Sequence, residues 1–198
     1  MQFESISDDI LVEKVGGGDR QAASVLVRRH SQRVLNIARR MMVNEAEAED
    51  VTQDVFLKVW KSAAKWESGK AKFTTWLHRV TVNTCLDRLR KPKMGNVDTV
   101  PEVADESETP AQRLEAESRS ELLKRAMEQL PDRQRAALSL CYFEEISNIE
   151  AAEVMEVSVD ALESLLSRGR RKLKELLQMD REELLVSNAQ GRATGFDG

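Results

Sequence analysis

The most constraining feature of this sequence is an apolar stripe in the stretch Ser158–Leu177. Apolar or small residues recur there at steps of three and four, which is the spacing of one face of an α-helix. Ser158 precedes the stripe and is a favoured helix N-cap, because its hydroxyl can accept a bond from an unpaired backbone N–H. A helix of this kind has to bury its stripe against other elements. The stripe consists of Leu162, Leu165, Leu166, Gly169, Leu173, Leu176 and Leu177.

The opposite face of the same predicted helix is polar and basic. The run Arg168–Lys174 holds five cations in seven residues. Such a face suits contact with an anionic partner, but an ordinary solvated helix surface has the same composition. The helix alone leaves both interpretations open.

Length and composition indicate a helical protein with one large or two small domains. The 198 residues are 41% hydrophobic and 32% charged, with four prolines and nine glycines. No apolar run reaches the roughly 20 residues that span a bilayer, so no membrane insertion is predicted. The acidic N-terminus lacks the features of a signal peptide. Cys85 and Cys141 are far apart in sequence, which favours reduced thiols and a cytoplasmic protein.

The formal net charge of −4 is unevenly distributed along the chain. Residues 1–94 contain 17 Lys and Arg against 12 Asp and Glu. Residues 95–121 contain 2 against 8, and residues 122–198 contain 11 against 14. An acidic segment therefore separates two regions that carry basic faces, a pattern compatible with nucleic-acid binding.

Helix signals follow one another along most of the chain, and no strand pattern stands out. Asp19 can cap the second predicted helix, and Asn44 with Glu47 resembles a capping box before the third. The last twenty residues look frayed. The predicted helices are Ser7–Val15 (capped by Ser7), a helix from Asp19 towards Met42, Ala46–Lys65, Phe73–Arg90, residues 112–130, Asp132–Tyr142, Ser147–Met155 and Ser158–Leu177.

The segment from Pro92 to Pro110 predicts a boundary between two domains. It contains three prolines and many acids, and it has no apolar periodicity, which is typical of a flexible linker. We predict an all-α protein with two small helical domains joined by this acidic linker. The predicted boundaries are 1–94 for the first domain, 95–111 for the linker, 112–178 for the second domain and 179–198 for the tail.

The last two predicted helices have the layout of a helix-turn-helix. Ser147–Met155 is short, a brief turn follows, and Ser158–Leu177 is in the position of a recognition helix. Ala152 is small where the two helices must approach, and Val157 and Leu162 can fill the corner. Three-helix bundles show similar spacing, but the basic face favours DNA binding.

Five aromatic residues cluster around one polar loop: Phe56, Trp60, Trp66, Phe73 and Trp76. Phe56, Trp60 and Trp76 are expected in the core. Trp66 and Phe73 flank Lys70 and Lys72, a composition suited to stacking on unpaired bases beside a phosphate backbone. Ordinary core packing of both rings is the alternative.

Signals of catalysis are weak. His30 and His78 are isolated, Gly16–Gly18 joins two helices rather than following a strand, and no ligand spacing predicts a metal site. The acidic residues around Asp50 fit a protein-binding face better than a divalent cation site. We predict no enzyme activity, no cofactor and no metal.

Two segments in the expected order resemble one bacterial family. Ala48–Lys91 resembles region 2 of the extracytoplasmic-function (ECF) sigma factors, and Leu130–Leu177 resembles their region 4. With Asp19–Val43 the resemblance covers most of residues 8–178, and the linker falls where this group lacks region 3. It implies an alternative sigma factor, acting in a stress response, that recognises −35 and −10 promoter elements and melts DNA. It also implies three partners: core RNA polymerase (β′ clamp helices and β flap), promoter DNA and an anti-sigma factor.

The resemblance assigns residues to three sites. Those for core polymerase are Asp50, Gln53, Asp54, Phe56, Leu57 and Trp60. Those for the −10 element are Trp66, Lys70, Lys72, Phe73, Trp76, Arg79 and Asn83. Those for the −35 element are Glu163, Ser164, Ser167 and Arg168 near bases, with Arg170, Arg171 and Lys174 near phosphates.

Three residues depart from the family pattern. Family members usually carry a basic residue at Glu163 and arginine at Leu165, and the turn often has glycine at Glu156. Glu163 could accept a bond from cytosine N4 or could repel phosphate. Glu156 would cost about 1 kcal/mol if its backbone is left-handed.

Two other functions stay open. A sigma-like decoy would bind an anti-sigma factor but not DNA, and a stand-alone helix-turn-helix regulator would leave Ala48–Lys91 unexplained. For a true sigma factor, the acidic linker is expected to thread near the RNA exit path, and its deletion should impair initiation more than core binding.

Overall fold

The computed structural model describes residues 6–67, 69, 72–90 and 120–193, with side chains described as far as Met179. The described residues form α-helices joined by short turns, with no strand among them. The predicted all-α class is therefore confirmed. Within these ranges no helix is long and apolar enough to cross a membrane.

Four helices form the N-terminal unit: α1 (Asp8–Gly16), α2 (Arg20–Met41), α3 (Glu45–Ala63) and α4 (Phe73–Arg90). The predicted caps of α2 and α3 are confirmed. Asp19 Oδ1 accepts bonds from the backbone N–H of Gln21 (2.9 Å) and Ala22 (3.1 Å), and Asn44 Oδ1 accepts one from Glu47 N (2.7 Å). Ser7 occupies the N-cap position of α1, but its side chain makes no capping bond, so that prediction is wrong in its chemistry.

The core of this unit comes from the periodic residues of α1 to α4. Leu11, Leu26, Ile37, Val51 and Val55 are fully buried. All seven residues predicted on the inner face of α2 are buried, namely Ala22, Val25, Leu26, Val34, Ile37, Ala38 and Met41. Packing of these amphipathic faces, rather than intrinsic propensity, holds helices of this length together.

The C-terminal unit contains α5 (residues 120–128), α6 (Asp132–Leu138), α7 (Asn148–Met155) and α8 (Val159–Ala193). The predicted helix Asp132–Tyr142 is in fact α6 followed by a π-helical turn, Ser139–Phe143. The predicted frayed tail is corrected as far as Ala193, where α8 ends, and residues 194–198 lie outside the described residues. The first part of the predicted helix 112–130 and the linker 95–111 lie outside the described residues.

The two units pack against each other through α2 and α4 of the N-terminal unit. The C-terminal half of α2 meets α6 and the π-helical turn, where Arg135 Nη1 donates to Met41 O (2.7 Å). Glu144 joins this contact through Arg40 (2.8 Å) and Arg33 (3.3 Å), and its side chain is 8% exposed. Helix α4 meets both α6 and α7. We refer to this packing of the two units as the closed arrangement.

Candidate nucleic-acid and polymerase interfaces

Helices α7 and α8 form a helix-turn-helix with capped starts and a tight corner. Ser147 Oγ accepts a bond from Glu150 N, and Ser158 Oγ accepts one from Ala161 N, both at 3.2 Å. Glu156 ends α7 in the left-handed region (φ 54°, ψ 49°). The expected corner residues Ala152 and Leu162 are 3% and 0% exposed. The chain therefore turns sharply enough for α8 to cross the bundle with one face outward.

The two faces of α8 separate as the periodicity predicted. Every member of the apolar stripe is buried or half-buried. Gly169 faces α6, since a Cβ added there would lie 3.2 Å from Leu138 Cδ1. The polar residues assigned to the −35 element are all exposed, namely Glu163, Ser164, Ser167, Arg168, Arg170, Arg171 and Lys174.

Two arginines of this face are positioned by local bonds. Arg168 Nε donates to Ser164 O (3.1 Å), and Arg170 Nη1 donates to Tyr142 Oη (2.9 Å). Both guanidinium groups stay exposed, so their remaining N–H groups are available to an anionic ligand. Since α8 presents cations on one side and buries leucines on the other, this surface can lie against a phosphate backbone.

The outer face of α3 carries the residues assigned to core polymerase, with one exception. Leu57 and Trp60 are 47% and 39% exposed, whereas Phe56 is 5% exposed and belongs to the core. The expectation that Trp60 is a core residue is therefore wrong. Gln53 is exposed as well. Large exposed hydrophobic side chains on one helix face mark a protein-binding surface.

The acidic residues of the α3 face are oriented by one arginine of α4. Arg88 Nη2 bonds Asp50 Oδ2, and Arg88 Nη1 lies 3.5 Å from Asp54 Oδ2. Lys58 Nζ donates to Thr84 Oγ1 (2.8 Å) on the same side. The carboxylates lie next to the exposed apolar patch, so the surface combines apolar area with negative charge.

The rings expected to stack on bases pack instead on one another. Phe73 is the first residue of α4 and is 2% exposed. Its ring centroid lies 6.0 Å from that of Trp66 and 5.9 Å from that of Trp76, and the two tryptophans are 5.3 Å apart. Trp66 Nε1 is buried and has no hydrogen-bond partner among the described residues. In this arrangement Phe73 has no face free for a base.

The loop before α4 is described only in part. Lys72 is exposed, whereas Lys70 lies outside the described residues. Asn83 is exposed on α4. Of the basic residues assigned to the −10 element, the structure therefore locates Lys72 and Arg79.

Arg79 has partners that the sequence did not indicate. Its Nη2 donates to Glu153 O (3.0 Å) at the end of α7, and Nη1 lies 3.6 Å from Glu156 Oε1. One turn earlier, Thr75 Oγ1 donates to Glu150 Oε1 (2.7 Å). These pairs join residues more than seventy positions apart, and no local pattern reports such a contact.

The two histidines differ in their surroundings: His30 has a carboxylate partner, whereas His78 is buried without one among the described residues. His30 Nε2 lies 2.8 Å from Asp8 Oδ2, and the His30 ring meets Phe73 edge-on at 5.3 Å. His78 is 3% exposed, and neither ring nitrogen has a partner in the described part of the chain. Burial, with the nearby Arg33 charge, lowers the pKa of His78 from 6.5 to about 4. His78 is therefore neutral at pH 7.

Both cysteines are free thiols. Cys85 is buried, and burial raises its pKa to about 12, so it is not nucleophilic at neutral pH. Cys141 is half-buried, and burial raises the pKa of this thiol as well. Among the described residues no cluster of His, Cys, Asp and Glu could hold a metal ion.

Comparison with known proteins gives the same division of the chain. The family model for sigma-70 region 2 matches residues 26–93, and the model for sigma-70 region 4 matches residues 120–173. The chain is 33% identical over 166 residues to the ECF RNA polymerase sigma factor SigE of Mycolicibacterium smegmatis, covering 82% of this chain and 64% of that protein. It is 30% identical over 182 residues to the RNA polymerase sigma-H factor of Pseudomonas aeruginosa, covering 86% and 94%.

A solved structure has a similar fold. The structure of CnrH in complex with the cytosolic domain of CnrY matches with a TM-score of 0.63 and 28% identity, covering 87% of this chain and 98% of CnrH. The chain thus has a region 2 unit and a region 4 unit, and it spans 94% of the sigma-H factor but 64% of SigE. It belongs to the ECF RNA polymerase sigma factors of the sigma-70 family. It is an alternative sigma factor acting in transcription initiation.

Proposed function

We propose that this sigma factor reads the −35 element with α8, reads and melts the −10 element with α4, and binds core RNA polymerase through α3. The observation that carries the proposal is the separation of the faces of α8. All seven residues assigned to the −35 element are exposed, and the leucine stripe beneath them is packed against the rest of the unit. A recognition helix supported in this way can enter a major groove without losing its packing.

The chemistry of the α8 face suggests how the contacts divide. Arg170, Arg171 and Lys174 can neutralise phosphates, which supplies affinity but no sequence information. Arg168 can donate two bonds to guanine, and Glu163 can accept one from cytosine N4. Asn148 Nδ2 lies 3.5 Å from Glu163 Oε1, so this carboxylate already has a neighbour on its own surface.

Binding of core polymerase is assigned to the exposed face of α3. Leu57 and Trp60 provide apolar area, and Asp50 and Asp54 provide negative charge beside it. Aromatic and aliphatic anchors with a charged rim are typical of protein interfaces. The family resemblance supports the β′ clamp helices as the partner of this face and the β flap as the partner of region 4.

The −10 assignment rests on α4. Trp76, Arg79 and Asn83 lie on this helix, and Lys72 lies just before it. Extruding a base from duplex DNA costs a few kcal/mol, which contacts to the flipped base and to polymerase must offset. The protein itself catalyses no reaction in this proposal, since initiation chemistry belongs to the polymerase.

A protein partner that controls the free chain is part of the same proposal. In one similar solved structure, CnrH is bound to the cytosolic domain of CnrY. We infer a comparable regulator for this chain, of the anti-sigma type. Because bacterial RNA polymerase acts in the cytoplasm, we infer that this protein acts there as well.

Run-off transcription with purified core polymerase tests the proposed function. The protein should direct transcripts from specific promoters in a genomic fragment library, and polymerase alone should not. A decoy would bind no promoter and direct no transcripts. A stand-alone regulator would bind duplex DNA without polymerase, and either result would refute the proposal.

One substitution tests the reading of the −35 element. Arg168→Ala should weaken binding of the holoenzyme to its promoter by about 1–3 kcal/mol and relax the preference at one base pair, because a bidentate base contact is lost. Lys174→Ala is the matched control, since loss of a phosphate contact weakens binding equally on all sequences. Affinities measured on a set of single-base promoter variants distinguish the two patterns. An unchanged base preference in Arg168→Ala would remove Arg168 from the recognition set.

A further inference from the structure

The contact between α4 and α7 engages a residue that the proposed function assigns to promoter DNA. We use the term α4–α7 contact for the group formed by Thr75, Arg79, Glu150, Glu153 and Glu156. Arg79 donates from Nη2 to Glu153 O at 3.0 Å and lies 3.6 Å from Glu156 Oε1. Thr75 Oγ1 donates to Glu150 Oε1 at 2.7 Å. All partners on one side belong to region 2, and all partners on the other belong to region 4.

The end of α7 offers Arg79 the same chemistry that a phosphate would. Helix C-termini carry exposed carbonyls and a partial negative charge, which attract a guanidinium group. The carboxylate of Glu156 adds a full negative charge beside the Glu153 carbonyl. A guanidinium occupied by these oxygens has fewer N–H groups left for a DNA backbone. The end of α7 and DNA therefore compete for one side chain.

Glu156 occupies an unfavourable backbone position to make this contact. Its φ of 54° is in the left-handed region, which residues other than glycine, asparagine and aspartate rarely adopt. Glycine would fit the turn without strain but would present no carboxylate to Arg79. Glu156, which departs from the family pattern, thus places its carboxylate beside Arg79 of α4.

The exposure of the pair sets the size of the effect. The side chains of Arg79 and Glu156 are 34% and 64% exposed, so solvent screens their attraction. A second contact, in which Glu144 meets Arg33 and Arg40, also holds the units together. We call the chain open when its two units are apart. Loss of one exposed pair should therefore shift the equilibrium between the closed arrangement and the open chain, and should not abolish the closed arrangement.

We propose that the α4–α7 contact is an intramolecular competitor of promoter DNA for Arg79, and that Glu156 adjusts the balance between the closed and open chain. The part of this proposal in which the contact keeps Arg79 from binding DNA, which we call masking, rests on the proposed role of α4. The closed–open equilibrium itself does not, because it can be measured without DNA or polymerase.

Fluorescence energy transfer in the full chain measures this equilibrium. Dyes are attached to Lys61→Cys on α3 and Lys172→Cys on α8, both exposed, in a Cys141→Ser background where the remaining Cys85 is buried. Glu156→Lys replaces the attraction for Arg79 by repulsion. We expect the ratio of open to closed chains to rise about two- to tenfold, the range for reversing one exposed ion pair.

Glu145→Lys is the matched control. Glu145 has the same φ of 54° and is exposed, but it has no ion pair among the described residues. It should leave the ratio unchanged. Glu156→Gln removes the charge without reversing it and should give a ratio between those of the unsubstituted chain and Glu156→Lys. Equal transfer in Glu156→Lys and Glu145→Lys would overturn the role of Glu156.

Binding of single-stranded DNA by the free labelled chain tests the masking. The probe is a mixed-sequence strand of about 12 nucleotides, within the range that one such surface binds. Glu156→Lys should bind it about two- to tenfold more tightly than Glu145→Lys, which carries the same added charge. Equal affinities would overturn the masking even if run-off transcription succeeds. Failure of run-off transcription alone would refute the proposed function and leave the energy-transfer result standing.

Discussion

At the residue scale, the structure shows how single side chains take on roles that their sequence neighbours do not suggest. Glu156 is left-handed, so the conditional cost of about 1 kcal/mol applies to the turn of the helix-turn-helix. Phe56 and Trp60 lie one turn apart on α3, yet one is core and the other is exposed. The aromatic content of a segment thus says less about binding than the direction of each ring.

His78 makes the stability of the fold depend on pH in the acid range. Its pKa is about 4 in the folded chain and 6.5 when exposed, so the unfolded state binds more protons between these values. Stability should therefore be full above pH 6.5 and fall as the pH drops towards 4. Between pH 7 and 5 the loss due to His78 should be about 2 kcal/mol, and His78→Leu should remove it. Urea unfolding at both pH values measures the difference.

Above pH 7 the stability of the unsubstituted protein and that of His78→Leu should depend on pH in the same way. This range provides the internal control for the test. Carboxylates contribute equally to both, so only the difference between the proteins reports on the imidazole. An equal loss of stability in both proteins between pH 7 and 5 would show that His78 is not held neutral.

At the element scale, close approach between helices depends on small residues at a few positions. A Cβ added to Gly16 at the end of α1 would lie 2.8 Å from Ala63 O and 3.0 Å from Ala64 Cα, both backbone atoms at the end of α3. Backbone cannot move aside as a flexible side chain can. The crossing of α1 and α3 therefore needs glycine at this position.

Gly16→Ala should lower the free energy of unfolding by about 1–3 kcal/mol, the usual cost of overpacking. Gly17→Ala is the matched control, because its added Cβ would lie 3.4 Å from the nearest atom, Lys14 O, and the backbone there has an ordinary φ of −81°. That variant should be neutral or slightly stabilised. Denaturant midpoints of the two variants measure the contrast. Equal midpoints would show that α1 shifts freely against α3.

At the scale of the whole molecule, one buried arginine links the two units. Arg135 is 4% exposed and donates to the carbonyl of Met41 in region 2 and to that of Leu130 in region 4. Asp132 Oδ1 lies 3.2 Å from its Nη2 and balances part of the charge. Because its bonds reach both units, unfolding of either unit should disturb the other.

Arg135→Met should lower the free energy of unfolding by about 3 kcal/mol, since buried carbonyls lose a charged donor. It should also split thermal unfolding into two transitions, because the units lose a shared contact. Arg133→Met is the control, as Arg133 donates to Met155 O (3.2 Å) within region 4. Calorimetry should show a single, lowered transition for the control. A single transition in Arg135→Met as well would mean that the remaining contacts suffice to couple the units.

Local patterns along the sequence predict most of the helices and the exposed surface of the recognition helix. These properties depend on local periodicity and capping, and both can be read along one segment of chain. The stripe of Ser158–Leu177 predicted which side of α8 is buried, because the 3.6-residue period of a helix places all of its apolar residues on one face. Asp19 and Asn44 predicted helix starts because a cap acts on its own next few residues.

Contacts between distant segments determine which of the predicted site residues are accessible. Phe73 is buried by Trp66 and Trp76, and Arg79 is occupied by the end of α7. These outcomes depend on contacts between segments that are distant in sequence, and their energies have no local signature. The resemblance could assign Arg79 to DNA, but only the packing of region 4 on region 2 shows a second set of oxygens competing for the same guanidinium group.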